Sequence, residues 1–302
     1  MTVLTPTISA IICTHNPRPD YLERTLNALR EQTLPKEQWE LLLIDNASKE
    51  PLVKSWDLSW HPQTRHIMES QLGLTHARLR GIHETQTDVL VFVDDDNVLF
   101  PDYLAECLQI AVTWPVLGAW GGQQFPEFEG GEPNENWKRE FWASTLKRDV
   151  WSNNYDSATV PIGAGVCIRR PVALKYAELA GSDPLRQRLG RKGSGLSAAE
   201  DYDMAFVACD MGLGLGRFVS LKLHHLMPTA RTNDDYLLKL NEGFGYSLAI
   251  LDALRGIKTF QCSRIDRIVN FYKRLRIPPM KRRMEKAFEA GRKRAIDELN
   301  AI

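Results

Sequence analysis

Three short apolar runs, each followed at once by polar residues, constrain the fold of this 302-residue chain more than any other feature. The runs are "ISAIIC" from Ile8, "WELLLI" from Trp39 and "VLVFV" from Val89, and segments with helical spacing of apolar residues lie between them. Buried strands that alternate with helices are typical of crossover units, which build a mainly parallel sheet covered on both faces. The pattern therefore predicts an α/β fold.

The polar residues that follow these runs predict where a ligand binds. Asp45 ends the second run, and Asp94, Asp95 and Asp96 directly follow the third. The carboxyl ends of parallel strands share one edge of the sheet, and ligands bind outside that edge. Three adjacent carboxylates repel one another, which favours a bound cation, and Mg²⁺ commonly takes one or two carboxylates together with phosphate oxygens. The alternative is a solvated turn or a helix cap, where Asp and Asn are common.

Composition narrows the class of protein. The 38 basic and 38 acidic residues give a net charge of zero, which argues against nucleic acid as a partner. The hydrophobic fraction of 43% is ordinary for a soluble globular chain, and no apolar run approaches the ~20 residues of a membrane-spanning helix. We expect no signal peptide. The five cysteines form no CxxC motif and are expected to be reduced, as in a cytoplasmic protein.

The second half of the chain has a less regular pattern. From Gln123 to Val160 the sequence is rich in Gly, Pro, Asn, Glu and Trp, which predicts a long surface excursion. The run "PIGAGVCIRR" and the segment "AAEDYDMAFVA" then predict a strand and, further on, a helix. After Pro228 the pattern is mainly helical.

Taken together and in this order, six motifs resemble those of a family 2 glycosyltransferase of the GT-A fold. They are "ISAIICTHNP", "LLLIDNAS", "GLTHARLRGI", "VLVFVDDDNVLFPDYL", "IGAGVCIRR" and "AEDYDM". The resemblance implies a GT-A-like domain over residues 1–227, with a helical C-terminal extension over 228–302 packed on it. It implies a nucleotide-sugar donor, UDP-linked before others, and Mn²⁺ or Mg²⁺ as the cofactor. The acceptor is then a glycan or a lipid-linked sugar of polysaccharide or glycoconjugate biosynthesis. The Gln-x-x-Arg-Trp motif of processive polymerases is not found, which favours a single transfer. Inversion is expected by analogy with inverting glycosidases, since direct displacement needs one carboxylate as base and no covalent intermediate.

The resemblance also assigns roles to individual residues. Asp201 is implied to be the catalytic base, with Glu200 beside it, although two acids in a first helical turn are also favoured by the helix dipole alone. The implied metal ligands are Asp96, Asp94 and His225, with a packed or surface histidine as the alternative for His225. The implied donor nucleotide-binding residues are Thr14, Asn16, Asp45, Arg78, Asp94 and Asp95.

Four more residues are assigned to the acceptor or phosphate region. Gly163 and Gly165 would let the backbone approach a ligand closely, or would form a bulge. Trp142 would stack on an acceptor sugar, whereas tryptophans more often fill a core. Arg231 would bind a phosphate in bidentate fashion, with a solvated surface arginine as the alternative.

The segment "KRRMEKAFEAGRKRAIDEL" near the C-terminus predicts a basic amphipathic helix. Such a helix is compatible with peripheral contact to an anionic membrane, which would put the protein at the inner face of the membrane. A helix packed on the domain through Phe288, with a solvated basic face, is the favoured interpretation. An oligomer is compatible with the sequence.

Two other functions fit parts of the chain. "VFVDDDNVL" also resembles the first motif of a haloacid-dehalogenase-type phosphatase, with Asp94 as nucleophile and Asp96 as acid. That family usually has this strand at its start, whereas other strand signals precede it here. A non-catalytic module that binds sugar nucleotides would be expected to lack Asp96 or Asp201, and this chain has both.

Overall fold

The computed structural model describes residues 7–133, 145–191, 195–197, 199–257 and 277–301. Its centre is a nine-stranded sheet. The strands are β1 (Ile8–Thr14), β2 (Trp39–Asn46), β3 (Thr64–Glu69), β4 (Val89–Val93), β5 (Asn97–Leu99), β6 (Leu117–Phe128), β7 (Val150–Ser152), β8 (Val166–Arg169) and β9 (Gly214–Met227).

Helices cover this sheet and continue beyond it. They are α1 (Pro19–Arg30), α2 (Leu74–Glu84), α3 (Tyr103–Thr113), α4 (Arg170–Ser182), α5 (Pro184–Gln187), α6 (Glu200–Asp210), α7 (Asp234–Leu254) and α8 (Pro279–Leu299). The α/β class with a mostly parallel sheet and a helical C-terminal segment is confirmed.

The sheet has the order β3-β2-β1-β4-β8-β6-β9-β5, and β7 pairs with β9. Strands β1 to β4, β6 and β9 run in one direction, whereas β5, β7 and β8 run in the other. Thr14 pairs with Asp45, and Ile12 pairs with Val93. The polar residues after β1 and β4 therefore meet at one edge of the sheet.

Two hydrophobic clusters lie on opposite faces of the sheet, because successive side chains of a strand point to opposite faces. In β1, Ile11 belongs to one cluster, and Ala10 and Ile12 belong to the other. The first cluster also contains Ile250 of α7 and Ala295 of α8. The C-terminal helices thus share a core with the sheet, and the predicted domain boundary at residue 227 coincides with the end of β9.

The interpretation of residues 123–160 as a surface excursion needs a correction. Strand β6 continues to Phe128, and its pairing with β9 buries the side chains of Gln123 and Gln124. Val150–Ser152 forms β7 on the other side of β9. Cross-strand pairing, which composition does not report, orders both ends of this segment. Trp142 lies outside the described residues.

The basic C-terminal helix α8 packs on α7. A Cβ atom at Gly291 would lie 1.9 Å from the carbonyl oxygen of Glu242, so only glycine permits this close approach. Arg294 also pairs with Glu242 at 2.6 Å. The arrangement agrees with the packed interpretation of α8, and membrane contact stays a prediction. Within the described ranges, no helix has the length and hydropathy needed to cross a bilayer.

Candidate active site

A cavity of about 480 Å³ opens at the carboxyl ends of β1 and β4 and extends to the start of α6. The structure brings most of the predicted site residues together there. Those that line the cavity are Thr14, Asn16, Arg78, Asp94, Asp95, Asp96, Gly163, Glu200, Asp201, His225 and Arg231. Two acidic groups therefore share the cavity, which we name the aspartate turn (Asp94–Asp96) and the α6 carboxylates (Glu200 and Asp201).

The aspartate turn is shaped by the pairing of β5 with β9. Asn97 of β5 lies opposite His225 of β9, so the residue before Asn97 is held beside the histidine. The Oδ1 atom of Asp96 lies 3.5 Å from Nε2 of His225, and its Oδ2 atom accepts a hydrogen bond of 2.9 Å from Arg231. Asp96 is buried, and two cationic or potentially cationic groups face its two oxygens.

The three carboxyl groups of the turn differ in their pKa. Burial acts to raise the pKa of Asp96, but the charges of His225 and Arg231 outweigh it and lower that pKa to about 2. Burial and the negative charge of Asp96 raise the pKa of Asp95 to about 7, although the hydroxyl of Thr14 donates a hydrogen bond to it. Asp96 is thus the member of the turn whose pKa lies below its ordinary value, because its two oxygens face His225 and Arg231.

Arg78 of α2 links the aspartate turn to the α6 carboxylates. Its guanidinium is almost fully buried and lies 3.8 Å from Oδ1 of Asp94 and 3.4 Å from Oε2 of Glu200. It also lies over the ring of Phe92, 5.6 Å from the ring centre. A buried positive charge between two carboxylates offsets their repulsion. Arg78 therefore supports both acidic groups, in addition to its predicted contact with the donor.

The α6 carboxylates occupy the first turn of their helix and face different neighbours. Asp201 accepts hydrogen bonds through Oδ2 from the amide of Gly163 at 2.8 Å and through Oδ1 from the amide of Tyr202 at 3.0 Å. A side chain at position 163 would crowd Asp201, since its Cβ would lie 3.1 Å from Oδ2. Glu200 is buried and accepts a hydrogen bond of 3.3 Å from Tyr176, and burial raises its pKa. These contacts go beyond what a helix dipole alone would explain.

Asp45 does not line the cavity, which differs from the expectation that it reads the donor nucleotide. Its buried carboxylate accepts hydrogen bonds of 3.0 Å each from the amides of Ser48 and Leu52. The amide of Asn16 is in turn bonded to the hydroxyl of Ser48, and Asn16 has a left-handed backbone with φ of 48°. Asp45 thus orders the loop after β2, which contacts Asn16 of the cavity lining. Direct contact of Asp45 with a donor stays a prediction.

Replacing Asp45 with alanine is expected to lower the free energy of unfolding by ~1–3 kcal/mol, because two backbone amides lose their buried acceptor. Urea unfolding of the variant and the wild type measures this change. Titration of the folded variant with UDP or GDP tests the predicted donor contact separately. An unchanged nucleotide affinity would exclude that contact, and an unchanged stability would exclude the structural role.

Gly165 does not line the cavity, so its assignment to the acceptor region stays a prediction. Its φ of +73° is a conformation that favours glycine. A Cβ there would lie 2.5 Å from the hydroxyl oxygen of Tyr103, which donates a hydrogen bond of 2.6 Å to the carbonyl of Gly165. Close packing against Tyr103 of α3 thus accounts for the glycine at this position.

Sequence reasoning missed Arg191, which lines the cavity near α6. The segment "GRKGSGLS" gave no signal beyond that of a loop. The carbonyl of Arg191 accepts a hydrogen bond of 3.0 Å from Leu74 at the start of α2, which fixes the backbone at the cavity. Arg18, Arg78 and Arg231 each pair with carboxylates. Arg191 has no such ion pair within the described ranges. Burial raises the pKa of Asp94, and the charge of Arg191 is among those that oppose this rise.

The side chains of the cavity can supply part of the coordination of one divalent cation. Oδ1 of Asp96 and Nε2 of His225 lie 3.5 Å apart, a separation compatible with two adjacent ligands of one ion. Among the described residues, no three side chains of His, Cys, Asp or Glu form a cluster suited to a metal. Mg²⁺ and similar ions complete their coordination with water and phosphate oxygens. Asp96 and His225 therefore fit an ion that is shared with a bound diphosphate.

Comparison with known proteins defines the class of this fold and site. A model of glycosyl transferase family 2 matches residues 9–176, which is more than half of the chain. The chain belongs to glycosyl transferase family 2, and it is a glycosyltransferase. This confirms the predicted family and enzyme class and excludes the phosphatase alternative.

Two curated relatives come from Haloferax volcanii. Glucosyl-dolichyl phosphate glucuronosyltransferase is 21% identical over 251 residues, which cover 82% of this chain and 78% of the relative. Glycosyltransferase AglE is 30% identical over 99 residues, which cover 32% of each chain.

Two solved structures resemble the whole chain and show the GT-A fold. Mannosyltransferase PcManGT from Pyrobaculum calidifontis, solved in complex with GDP-Man and Mn²⁺, has a TM-score of 0.57 at 16% identity. The match covers 98% of this chain and 74% of PcManGT. Residues 1–349 of S. aureus TarS have a TM-score of 0.52 at 13% identity, with 98% and 92% covered. At these identities the likeness concerns the fold alone, so the roles of individual residues stay predictions.

Proposed function

We propose that this glycosyltransferase moves a sugar from a nucleotide-sugar donor to an acceptor hydroxyl, with inversion and with a divalent metal. The observation that carries the proposal is one cavity shared by the aspartate turn and the α6 carboxylates. Direct displacement at a sugar carbon needs a charged leaving group held on one side and a base on the other. The two acidic groups, linked by Arg78, suit these two tasks.

On the donor side, Asp96 and His225 would hold Mn²⁺ or Mg²⁺ against the diphosphate. The bound ion would neutralise charge on the departing diphosphate. Thr14, Asn16 and Arg78 would border the nucleotide, as expected from the resemblance. UDP is the expected nucleotide, but the GDP-Man complex of the distant structural relative PcManGT makes GDP the second nucleotide to test.

On the acceptor side, Asp201 would accept the proton of the attacking hydroxyl. The acceptor oxygen then bonds to the anomeric carbon, and the bond from that carbon to the diphosphate oxygen breaks. The nucleoside diphosphate leaves with the bonding electrons, and the configuration at carbon inverts. The hydrogen bonds from Gly163 and Tyr202 hold the carboxylate of Asp201 in place for this step.

The acceptor and the cellular location are further parts of the proposal. A glycan or a lipid-linked sugar is the proposed acceptor, supported by the relative whose name describes a transfer to glucosyl-dolichyl phosphate. We also propose a cytoplasmic location, at the inner face of the membrane if the acceptor is lipid-linked.

A thermal-shift screen of UDP- and GDP-sugars with and without Mn²⁺ tests the proposed donor binding. A ligand that binds only the folded state raises its apparent stability. We expect one donor class to raise the melting temperature in Mn²⁺ and to lose most of this effect in EDTA. The same donor should then show transfer or slow hydrolysis. If no nucleotide sugar shifts the melting temperature in Mn²⁺, the proposed donor class is wrong.

Arg191 provides a prediction on binding. Arg191→Ala should weaken binding of UDP or GDP by roughly 1 kcal/mol, about fivefold, because a charge-assisted hydrogen bond to an anion at an exposed position is lost. Calorimetry measures the change, and Arg188→Ala, an exposed arginine of the same loop region outside the cavity lining, is the control. If UDP or GDP and the matching nucleoside bind with equal affinity, no cation of the cavity contacts the phosphates.

A further inference from the structure

The start of helix α6, which carries Glu200 and Asp201, is held by helix α7 of the C-terminal extension. The backbone of α7 approaches the loop before α6 closely, since a Cβ at Gly243 would lie 2.2 Å from the carbonyl oxygen of Leu196. Phe244 of α7 meets the ring of Tyr202 edge to face, with the ring centres 5.9 Å apart. The two contacts of α7 lie on either side of Asp201 in the sequence.

A buried ion cluster adds to these contacts in the same first turn of α6. The carboxylate of Asp203 is completely buried, and its Oδ1 atom lies 2.6 Å from Arg186 of α5 and 2.9 Å from Arg255. Arg255 directly follows the last residue of α7, and its side chain is 4% exposed. It also donates to the carbonyl of Asp203 at 3.2 Å. The end of α7 is therefore tied to the first turns of α6 through both the side chain and the backbone of Asp203.

The contacts of Arg255 extend to the C-terminal end of α6. The guanidinium of Arg255 lies over two neighbouring rings, 5.4 Å from the centre of Tyr155 and 5.2 Å from that of Phe206. It approaches Asp210 at 3.6 Å, and the hydroxyl of Tyr155 donates a hydrogen bond to the same aspartate. One arginine of the extension thus contacts α6 at residues 203, 206 and 210, which lie on one face of a helix at spacings of three and four.

A gain in stability alone does not account for this buried ion cluster. A buried ion pair contributes little compared with apolar residues of similar size, because both charges lose their water. In addition, the Oδ2 atom of Asp203 and the Nε atom of Arg255 are buried without a hydrogen-bond partner within the described ranges. Such a cluster specifies one arrangement of the two helices, since a small shift would leave further charges unpaired.

We infer that Arg255 and Asp203 are positioning residues, which fix α6 so that Asp201 is held at the correct place in the cavity to meet the acceptor hydroxyl. The C-terminal extension is then part of the catalytic apparatus, although none of these residues lines the cavity. This inference rests on the proposed function, because it takes Asp201 as the residue that acts on the acceptor, with Glu200 supporting the site beside it. Misplacement of a reacting group by about 1 Å can cost 10²-fold in rate.

The test compares Arg255→Met with Arg294→Met. Arg294 also pairs with an acid of α7, Glu242, but it is exposed and does not touch α6. Two quantities are measured for each variant: the dissociation constant of UDP or GDP in Mn²⁺, and the single-turnover rate of transfer from the matching nucleotide sugar. For Arg255→Met we expect an unchanged nucleotide affinity and a rate lowered about 10- to 100-fold. Arg294→Met should change neither quantity.

Hydrogen exchange provides a readout that does not depend on activity. Amides of residues 199–210 should exchange about tenfold faster in Arg255→Met than in the wild type, and Arg294→Met should leave them unchanged. Phe244→Leu, which removes the ring contact with Tyr202 and keeps every ion pair, replaces Arg255→Met if the latter does not fold. Normal exchange in α6 together with a wild-type rate would overturn the inference. If Asp201→Asn transfers normally while α6 exchanges faster in Arg255→Met, the role of Asp201 fails and the positioning of α6 stands.

Discussion

Replacing Asp201 with asparagine is expected to slow sugar transfer by ~10²–10⁴-fold while leaving donor affinity nearly unchanged, as for the loss of a general base. The substitution keeps the size of the side chain and removes its basicity. The proposed donor site is the aspartate turn, which the substitution does not touch. Binding and chemistry should therefore separate cleanly in this variant.

The contacts of Asp201 define what else the substitution changes. Both carboxylate oxygens accept hydrogen bonds from backbone amides, those of Gly163 and Tyr202. Asparagine offers one acceptor and one donor group, so one of these two bonds is lost, at a cost of roughly 1 kcal/mol in stability. Such a loss is too small to unfold an ordinary domain and too small to produce the expected loss of rate.

Glu200→Gln is the matched comparison for Asp201→Asn. Glu200 is buried and bonded to Tyr176, and it faces Arg78, so it is placed to support the site and not to reach an acceptor. Its substitution should reduce the rate less than that of Asp201. Single-turnover transfer and nucleotide titration of both variants decide the assignment. A wild-type rate in Asp201→Asn would move the role of base to Glu200 or to another carboxylate of the cavity.

The parallel half of the fold and the position of the site follow from the sequence for a clear physical reason. Strands β1, β2 and β4 are buried on both faces, so each appears as a continuous apolar run that ends at polar residues. Parallel strands must bring these ends to one edge, and Thr14 and Asp94–Asp96 do meet there. The aspartate turn could therefore be predicted without any knowledge of the tertiary packing.

The remaining features depend on contacts between distant segments, which a local pattern does not report. Asp45, like Asp94, lies at the end of a strand, yet its carboxylate accepts hydrogen bonds from backbone amides of the loop that follows it. Gly165 contacts Tyr103 of α3, a helix that is distant from it in the sequence. The pairing of Arg255 with Asp203 joins residues about fifty positions apart. Periodicity identifies which residues are buried, but not the partners with which they are buried.

The second large effect is expected for Asp96→Ala, which should abolish the dependence of nucleotide binding on metal. Loss of a proposed ligand should weaken binding of UDP or GDP in Mn²⁺ by about 10-fold or more, since even outer-sphere partners of a metal contribute that much. In EDTA the substitution should not weaken the binding of UDP or GDP. Asp96 offsets the charge of Arg231 in the wild type, and its removal leaves that guanidinium available to the phosphates. Binding in EDTA should thus be unchanged or tighter in the variant.

Calorimetry of wild type and Asp96→Ala, each in Mn²⁺ and in EDTA, measures all four affinities. Asp95→Ala is the control, because Asp95 belongs to the same turn but contacts Thr14 and carries a pKa raised to about 7 by burial and by Asp96. We expect this control to keep the difference between Mn²⁺ and EDTA, and Asp96→Ala to lose it. Because Arg231 is expected to bind the phosphates once Asp96 is removed, the double variant Asp96→Ala/Arg231→Met should bind nucleotide more weakly in EDTA than Asp96→Ala does. If Asp96→Ala retains the full effect of Mn²⁺ on affinity, Asp96 is not a ligand of the ion and the proposed donor site is wrong.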